Sequence, residues 1–233
     1  MNTRYFVGDV ETTGLPPDAA ACEIGFFELD EHANIIDCVS SILDPERPIQ
    51  PSASAAHGLV YEDCADFPTV SQFFSESDPA CYGKRIQADR VCLIAHKSSF
   101  DRQFFEPWID GEVIELDTLK WFRSLYPYSD SHTLGTAVFA LNLPREHRTA
   151  HRVESDVTDC YNLLRHIMER TQLTLPELAE KSQEPFLLTT VSFGKYKGQN
   201  WSDVPRSYLQ WAQGNMKEVD IDQSYTINYY LNK

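Results

Sequence analysis

Nowhere in the 233 residues does an apolar run approach the roughly 20 that a membrane-crossing helix needs. A secretory leader is not expected either, because Arg4 and Asp9 break the first apolar residues too early. Paired-cysteine motifs are missing. Cys22, Cys38, Cys64, Cys81, Cys92 and Cys160 are scattered, with no CxxC spacing and no clustering with histidine. They read as reduced, mostly buried thiols, which points to an intracellular, cytoplasmic protein. Positive charge is also scarce: 20 Lys and Arg face 35 Asp and Glu, for a net charge of −15. That balance excludes a broad duplex-coating surface that works by counterion release. It leaves room for a small site whose carboxylates are neutralised by divalent ions. Internal repeats and low-complexity segments are absent.

What is present is an ordinary globular composition, 42% hydrophobic and 24% charged, enough for one domain with a small appendage. Residues 4–10 read as a short buried strand closed by the turn Gly14-Leu15-Pro16-Pro17. Residues 22–29 and 35–43 are β-prone runs split by a polar stretch, and with the first strand they predict an antiparallel meander. A Pro-rich loop, 45–51, leads into Ala55-Ala56-His57-Gly58-Leu59. Further strands are expected at 91–95 and 113–116, and helices at 98–105, 118–125, 132–141 and 153–170. In the last, Val157, Cys160, Leu164 and Ile167 repeat every three or four residues and mark the core face. A meander followed by strands alternating with helices predicts an α/β domain with a mixed central sheet flanked by helices. A short linking helix is expected over 172–183. From Phe186 an apolar run to Phe193 reads as a strand, followed by a Gly-Lys-Tyr-Lys-Gly turn. The expected division is a main domain over 1–175 and a small C-terminal extension over 176–233.

Three acidic motifs carry the chemistry. In Asp9-Val10-Glu11, residues two apart on a strand project from one face, and adjacent carboxylates repel unless a cation sits between them. A solvated strand end would look the same in isolation. In His96-Lys97-Ser98-Ser99-Phe100-Asp101, an apolar strand runs into a helix with Asp101 in its first turns. Favourable placement of negative charge at a helix N-terminus would equally account for that residue. His151 and Asp156 open the longest helix. On a regular helix they would lie ~140° apart, so His151 belongs in the loop just before it, leaning over a site that Asp156 reaches. A histidine there is also compatible with a structural role.

Taken together, these motifs resemble the DEDD exonucleases, in the subgroup whose last motif is His-x4-Asp. Asp9 and Glu11 match the first motif, Asp101 the second, and His151 with Asp156 the third. Asp117-Thr118-Leu119 and His132-Thr133-Leu134-Gly135 are also similar to this family. The stretch from Leu188 to Gly198, with Tyr208-Leu209-Gln210-Trp211, resembles the tail of its exonuclease X branch. The resemblance implies a ribonuclease-H-like fold over the first 175 or so residues. It further implies release of nucleoside monophosphates from nucleic acid 3′ ends, DNA by preference, single-stranded and also at duplex ends. Oxygen ligands select Mg²⁺ or Mn²⁺, and two ions per site are expected. By resemblance Asp9 bridges both ions, Glu11 and Asp156 complete one shell, and Asp101 holds the second. His151, with an ordinary pKa near ~6.5, suits a general base toward water.

Substrate contacts are expected from the residues around these motifs. Thr12, Thr13 and Gly14 offer hydroxyls and backbone N–H groups to the terminal nucleotide, and Leu15 an apolar edge for its base. His57 matches a position common in these enzymes. Lys195 and Lys197 flank Tyr196 in a basic-aromatic turn suited to a strand's backbone, or equally to plain solvation. Many relatives carry Asn where this chain has Lys97, so contacts made by that Asn do not transfer. The alternatives are a 3′→5′ exoribonuclease of the ribonuclease T or oligoribonuclease kind, and a catalytically silent nucleic-acid-binding module. A homodimer is compatible with the sequence but does not follow from it.

Overall fold

A computed structural model describes residues 2–75, 81–144, 152–216 and 220–233. Three consecutive strands, β1 (Thr3–Thr12), β2 (Ala21–Leu29) and β3 (Ile35–Ile42), form the expected meander. After helices α1 (Pro51–His57), α2 (Tyr61–Cys64) and α3 (Val70–Ser75), strand β4 (Ile86–Ala95) pairs parallel to β1. Helix α4 (Ser98–Phe105) leads to β5 (Ile109–Asp117), which pairs parallel to β4. The five strands lie in the order β3-β2-β1-β4-β5, so β1 is central, antiparallel to one neighbour and parallel to the other. The chain continues through α5 (Thr118–Leu125), α6 (Leu134–Ala140), α7 (Val153–Thr171), α8 (Leu175–Ser182), α9 (Arg206–Asn215) and α10 (Ile221–Asn232). This is the mixed sheet flanked by helices that the sequence predicts.

Alternation along the strands supplies two cores. Tyr5 and Val7 of β1 join Phe27, Cys92, Ile94 and Leu116 under α5, α6, α7 and α8. Phe6 and Val10 point the other way, to a second cluster with Phe26, Leu93, Phe73 and Phe105. Two glycines let the helices approach the sheet. A side chain at Gly8 would strike the Phe105 ring of α4, and one at Gly25 would overlap Val153 of α7. Small residues at these points bring both helices down onto the end of the central strand.

The C-terminal region departs from expectation. Residues 186–193 form no strand. Their backbone is held by side chains of α10, with Phe186 N donating to Asp222 Oδ1 at 2.8 Å and Leu188 N to Thr226 Oγ1 at 2.9 Å. Leu188 and Val191 thereby enter a small separate core with Trp201, Leu209, Ala212 and Ile227. Helices α9 and α10, not anticipated from the sequence, provide most of it. Helix α8 belongs to the larger body, since Leu175, Leu178 and Ala179 join its core. Lys120 of α5 fastens the two together, donating to the carbonyls of Ser182 and Glu184 and pairing with Asp222 at 3.2 Å. No helix among the described residues is long and apolar enough to cross a membrane.

Candidate active site

Asp9 and Glu11 share the face of β1 that carries Tyr5 and Val7, toward α7, as strand alternation requires. Asp156 rises from the first turn of α7. One carboxylate oxygen from each of Asp9, Glu11 and Asp156 lies within 4.8 Å of the other two. Asp101 of α4 stands outside that trio, 4% exposed, with the backbone N–H of Val10 steadying its charge. Its negative charge bears on Asp9 more than that of any other carboxylate. The four acidic groups therefore converge at the C-terminal end of the central strand, the end where parallel sheets place ligands. His151 lies outside the described residues.

The electrostatics are unfavourable as they stand. Burial and then the charges of Asp101, Asp156 and Glu11 push Asp9 well above the usual carboxylate range. Burial, then Asp156 and Glu23, lift Glu11 to about 7, against a lowering by Arg152. Burial also raises Asp101. Asp9 keeps some solvent contact as a residue, yet its Oδ2 is occluded and without a hydrogen-bond partner. A buried orphan oxygen among like charges costs free energy unless a cation balances it. The donor set, carboxylate oxygens alone, suits a hard divalent ion.

Two supporting residues gave no signal in the sequence. Glu23 of β2 sits directly across from Glu11 and binds Arg152 through both carboxylate oxygens, the shortest contact being 2.7 Å. The same carboxylate accepts from Val153 N, capping the start of α7. Glu23 thus sets where α7 begins, and with it the position of Asp156. An isolated glutamate in an apolar strand acquires this meaning only once the pairing of β1 with β2 is known.

The expected substrate-contact residues divide. Leu15, in the turn that follows β1, is 77% exposed. Gly14 lies in the same turn, where its carbonyl accepts the Thr12 hydroxyl at 2.7 Å. The hydroxyls of Thr12 and Thr13 serve that turn, since Thr13 Oγ1 accepts from Ala20 N at 3.0 Å. His57 is buried. Its Nδ1 accepts from Leu59 N at 3.1 Å, leaving Nε2 to donate to the carbonyl of Thr12 at 3.3 Å. It braces the turn that follows β1. Lys97 is exposed, in a left-handed conformation with φ 86° at the start of α4. Asn tolerates that conformation better than most side chains. The backbone N–H of Lys97 donates to Asp117 Oδ1 at 3.0 Å. Lys195 lies over the Tyr196 ring, and Lys197 projects from the C-terminal unit at a distance in sequence from the carboxylates.

His96, beside Lys97, is a strut. Its Nε2 donates to the carbonyl of His132 at 2.8 Å, and Thr118 Oγ1 lies 3.1 Å from Nδ1. Burial lowers it to about 4, so it is neutral near pH 7. The family-like stretches around Thr118 and His132 are the parts it ties to β4.

With this geometry in place, comparison with known proteins adds the following. The profile of the RNase T exonucleases matches residues 6–164. Exodeoxyribonuclease 10 of Escherichia coli K12 is 31% identical over 235 residues, covering 96% of each chain. The PolC-type DNA polymerase III of Streptococcus suis is 29% identical over 184 residues, 74% of this chain and 12% of the polymerase. Among solved structures, exonuclease X in complex with 5′ overhanging duplex DNA aligns with a TM-score of 0.57 at 22% identity. That alignment covers 77% of this chain and 99% of the other. The ExoI/SSB-Ct complex aligns with a TM-score of 0.58 at 13% identity, over 96% of this chain and 62% of the other.

Proposed function

The chain belongs to the RNase T exonuclease family, and from that premise we propose that it is a metal-dependent 3′→5′ exodeoxyribonuclease releasing nucleoside monophosphates from DNA 3′ ends. The observation that carries this is the occluded, unpartnered Oδ2 of Asp9, set among the carboxylates of Glu11 and Asp156. Asp9, Glu11 and Asp156 would hold one divalent ion, Mg²⁺ or Mn²⁺, and Asp9 with Asp101 a second. When bound, such ions stabilise negative charge at the phosphate and lower the pKa of water.

The chain's own residues supply the rest. Glu23 and Arg152 keep Asp156 opposite β1. The Thr12–Leu15 turn, braced by His57, sets an apolar edge against the last base, with Leu15 in contact. His151, two residues ahead of α7 in the sequence, is assigned as the general base that takes the proton of the attacking water. Preference for DNA rests on the likeness to the E. coli exodeoxyribonuclease, because nothing in the carboxylate set reads a 2′-hydroxyl. The exoribonuclease reading uses the same residues and is not separately favoured by any contact.

The test is a pair of 5′-labelled oligonucleotides of matched sequence, one DNA and one RNA, incubated with Mg²⁺ and then with chelator. A metal-dependent ladder on DNA, shortening from the 3′ end, is the expected result. A ladder on RNA alone would move the chain to the exoribonuclease reading, and no ladder on either would leave a silent binding module.

A further inference from the structure

A cleft of about 510 Å³ lies between the exonuclease body and the C-terminal unit. One wall is the end of β4 with Lys97, the α5 residue Arg123 and the loop around His132; the other is residues 188–192 with Lys197 and Gly198. We propose that this cleft binds the phosphodiester backbone of a single strand on its way to the carboxylates, several nucleotides upstream of the scissile bond. This rests on the exonuclease reading for the strand's direction, but the binding itself does not require hydrolysis.

Charge placement singles out this cleft. In this acidic chain most described guanidinium groups near the sheet are already held: Arg4 by Glu28, Arg85 by Asp110, Arg90 by Glu112 and Glu180, Arg102 by Glu106 and Glu115, Arg152 by Glu23. Lys97, Arg123 and Lys197 have no ion pair among the described residues, and all three line this one cleft. Arg123 Nε is moreover occluded and without a hydrogen-bond partner. That atom is out of reach of a ligand and the guanidinium's charge already bears on Asp117, so what Arg123 offers the cleft is the outer edge of its planar fork, whose geometry suits a phosphate.

Between the cations the lining is mixed: Leu119, Leu134, Leu188 and Val191 are apolar, Ser131 and Thr189 offer hydroxyls, and Asp130 is the one carboxylate among the described residues of the wall. Cations for phosphates beside apolar surface for bases are what an unpaired strand needs. The cleft also leads to the right place, because Lys97 begins the helix that carries Asp101. Nor is it an accidental gap between loose parts. Thr190 Oγ1 donates to the carbonyl of Pro127 at 2.9 Å, and Tyr128 Oη to Asn200 Oδ1 at 3.1 Å, so the walls are pinned to each other.

The full-length protein is titrated with a fluorescent twelve-nucleotide single-stranded DNA in chelator, so that no turnover intervenes, over a series of salt concentrations. The variant Arg123→Gln/Lys197→Gln should bind about tenfold more weakly. Its slope of log affinity against log salt should be shallower by about 1.4, two lost contacts at ~0.7 each for single strands. Arg85→Gln, which removes a paired cation elsewhere, should match the parent in both. Circular dichroism and thermal midpoints establish that the double variant is folded; if it is not, the single variants Arg123→Gln and Lys197→Gln are read in the same way, each with half the change in slope. Parental affinity and slope in the folded variants would overturn the proposal, as would no binding by the parent itself. Binding of an acidic twelve-residue peptide in place of the strand would overturn it in favour of a protein partner. Failure of the laddering assay with this binding intact would remove the catalytic reading and leave the cleft.

Discussion

The carboxylates at the end of β1 are arranged against themselves, and their pH dependence should reveal it. Glu11 releases its proton at an ordinary 4.5 in the unfolded chain and at about 7 when folded. Between those values the folded state holds more protons than the unfolded one, so the metal-free protein loses stability as pH rises through this window. Thermal midpoints in chelator should therefore fall from pH 5 to pH 7.5, and Glu11→Gln should flatten the decline. Asp9→Asn should raise the midpoint in chelator while ending nucleotide release, because it removes a buried charge that nothing balances. A lower midpoint together with retained release would refute the site. Asp9, Glu11, Asp101 and Asp156 were singled out in the sequence by resemblance to a family's motifs, since the spacing of each motif alone left a bland reading open. Glu23, Arg152 and His96 were not, because each matters only through a partner distant in the chain.

Among the elements, the helices that deliver Asp101 and Asp156 depend on what lies beneath them. Gly25 is the point where α7 meets β2, and an added methyl would overlap Val153. Gly25→Ala should cost about 1–3 kcal/mol by overpacking, read from denaturant midpoints, and should depress activity by displacing Asp156. Adding Val153→Ala should recover part of both; a double variant no better than the single would show that the contact is not the cause. The predicted helices over 98–105 and 118–125 match α4 and α5 because their apolar residues fall on one face. The run 186–193 misled for a physical reason. Its apolar side chains are buried as a strand's would be, but side chains of α10 satisfy its backbone. Helix α10, rich in tyrosine on several sides, shows little contrast between its faces.

For the molecule as a whole, the net charge of −15 and the acidic site pull the same way. A divalent ion that binds only the folded chain should stabilise it by about 2.7 kcal/mol at a free concentration near 100 times its Kd. Calorimetry with and without Mg²⁺ should show the midpoint rising with metal in the parent and staying still in an Asp9→Asn/Asp156→Asn variant. Equal shifts in both would place the ion elsewhere. The mixed sheet could be foreseen from its run of strands and helices. The cleft could not, since its walls come from segments 63 residues apart at the Thr190–Pro127 bond, which meet only after folding.

Strand β1 is paired along both edges and carries two of the acidic groups at alternate positions. Inserting or deleting a single residue ahead of Asp9 would send both carboxylates to the opposite side of the sheet, into the cluster around Phe26 and Phe105. Loops in this fold are free to lengthen over evolutionary time, whereas the count of residues in this strand is not.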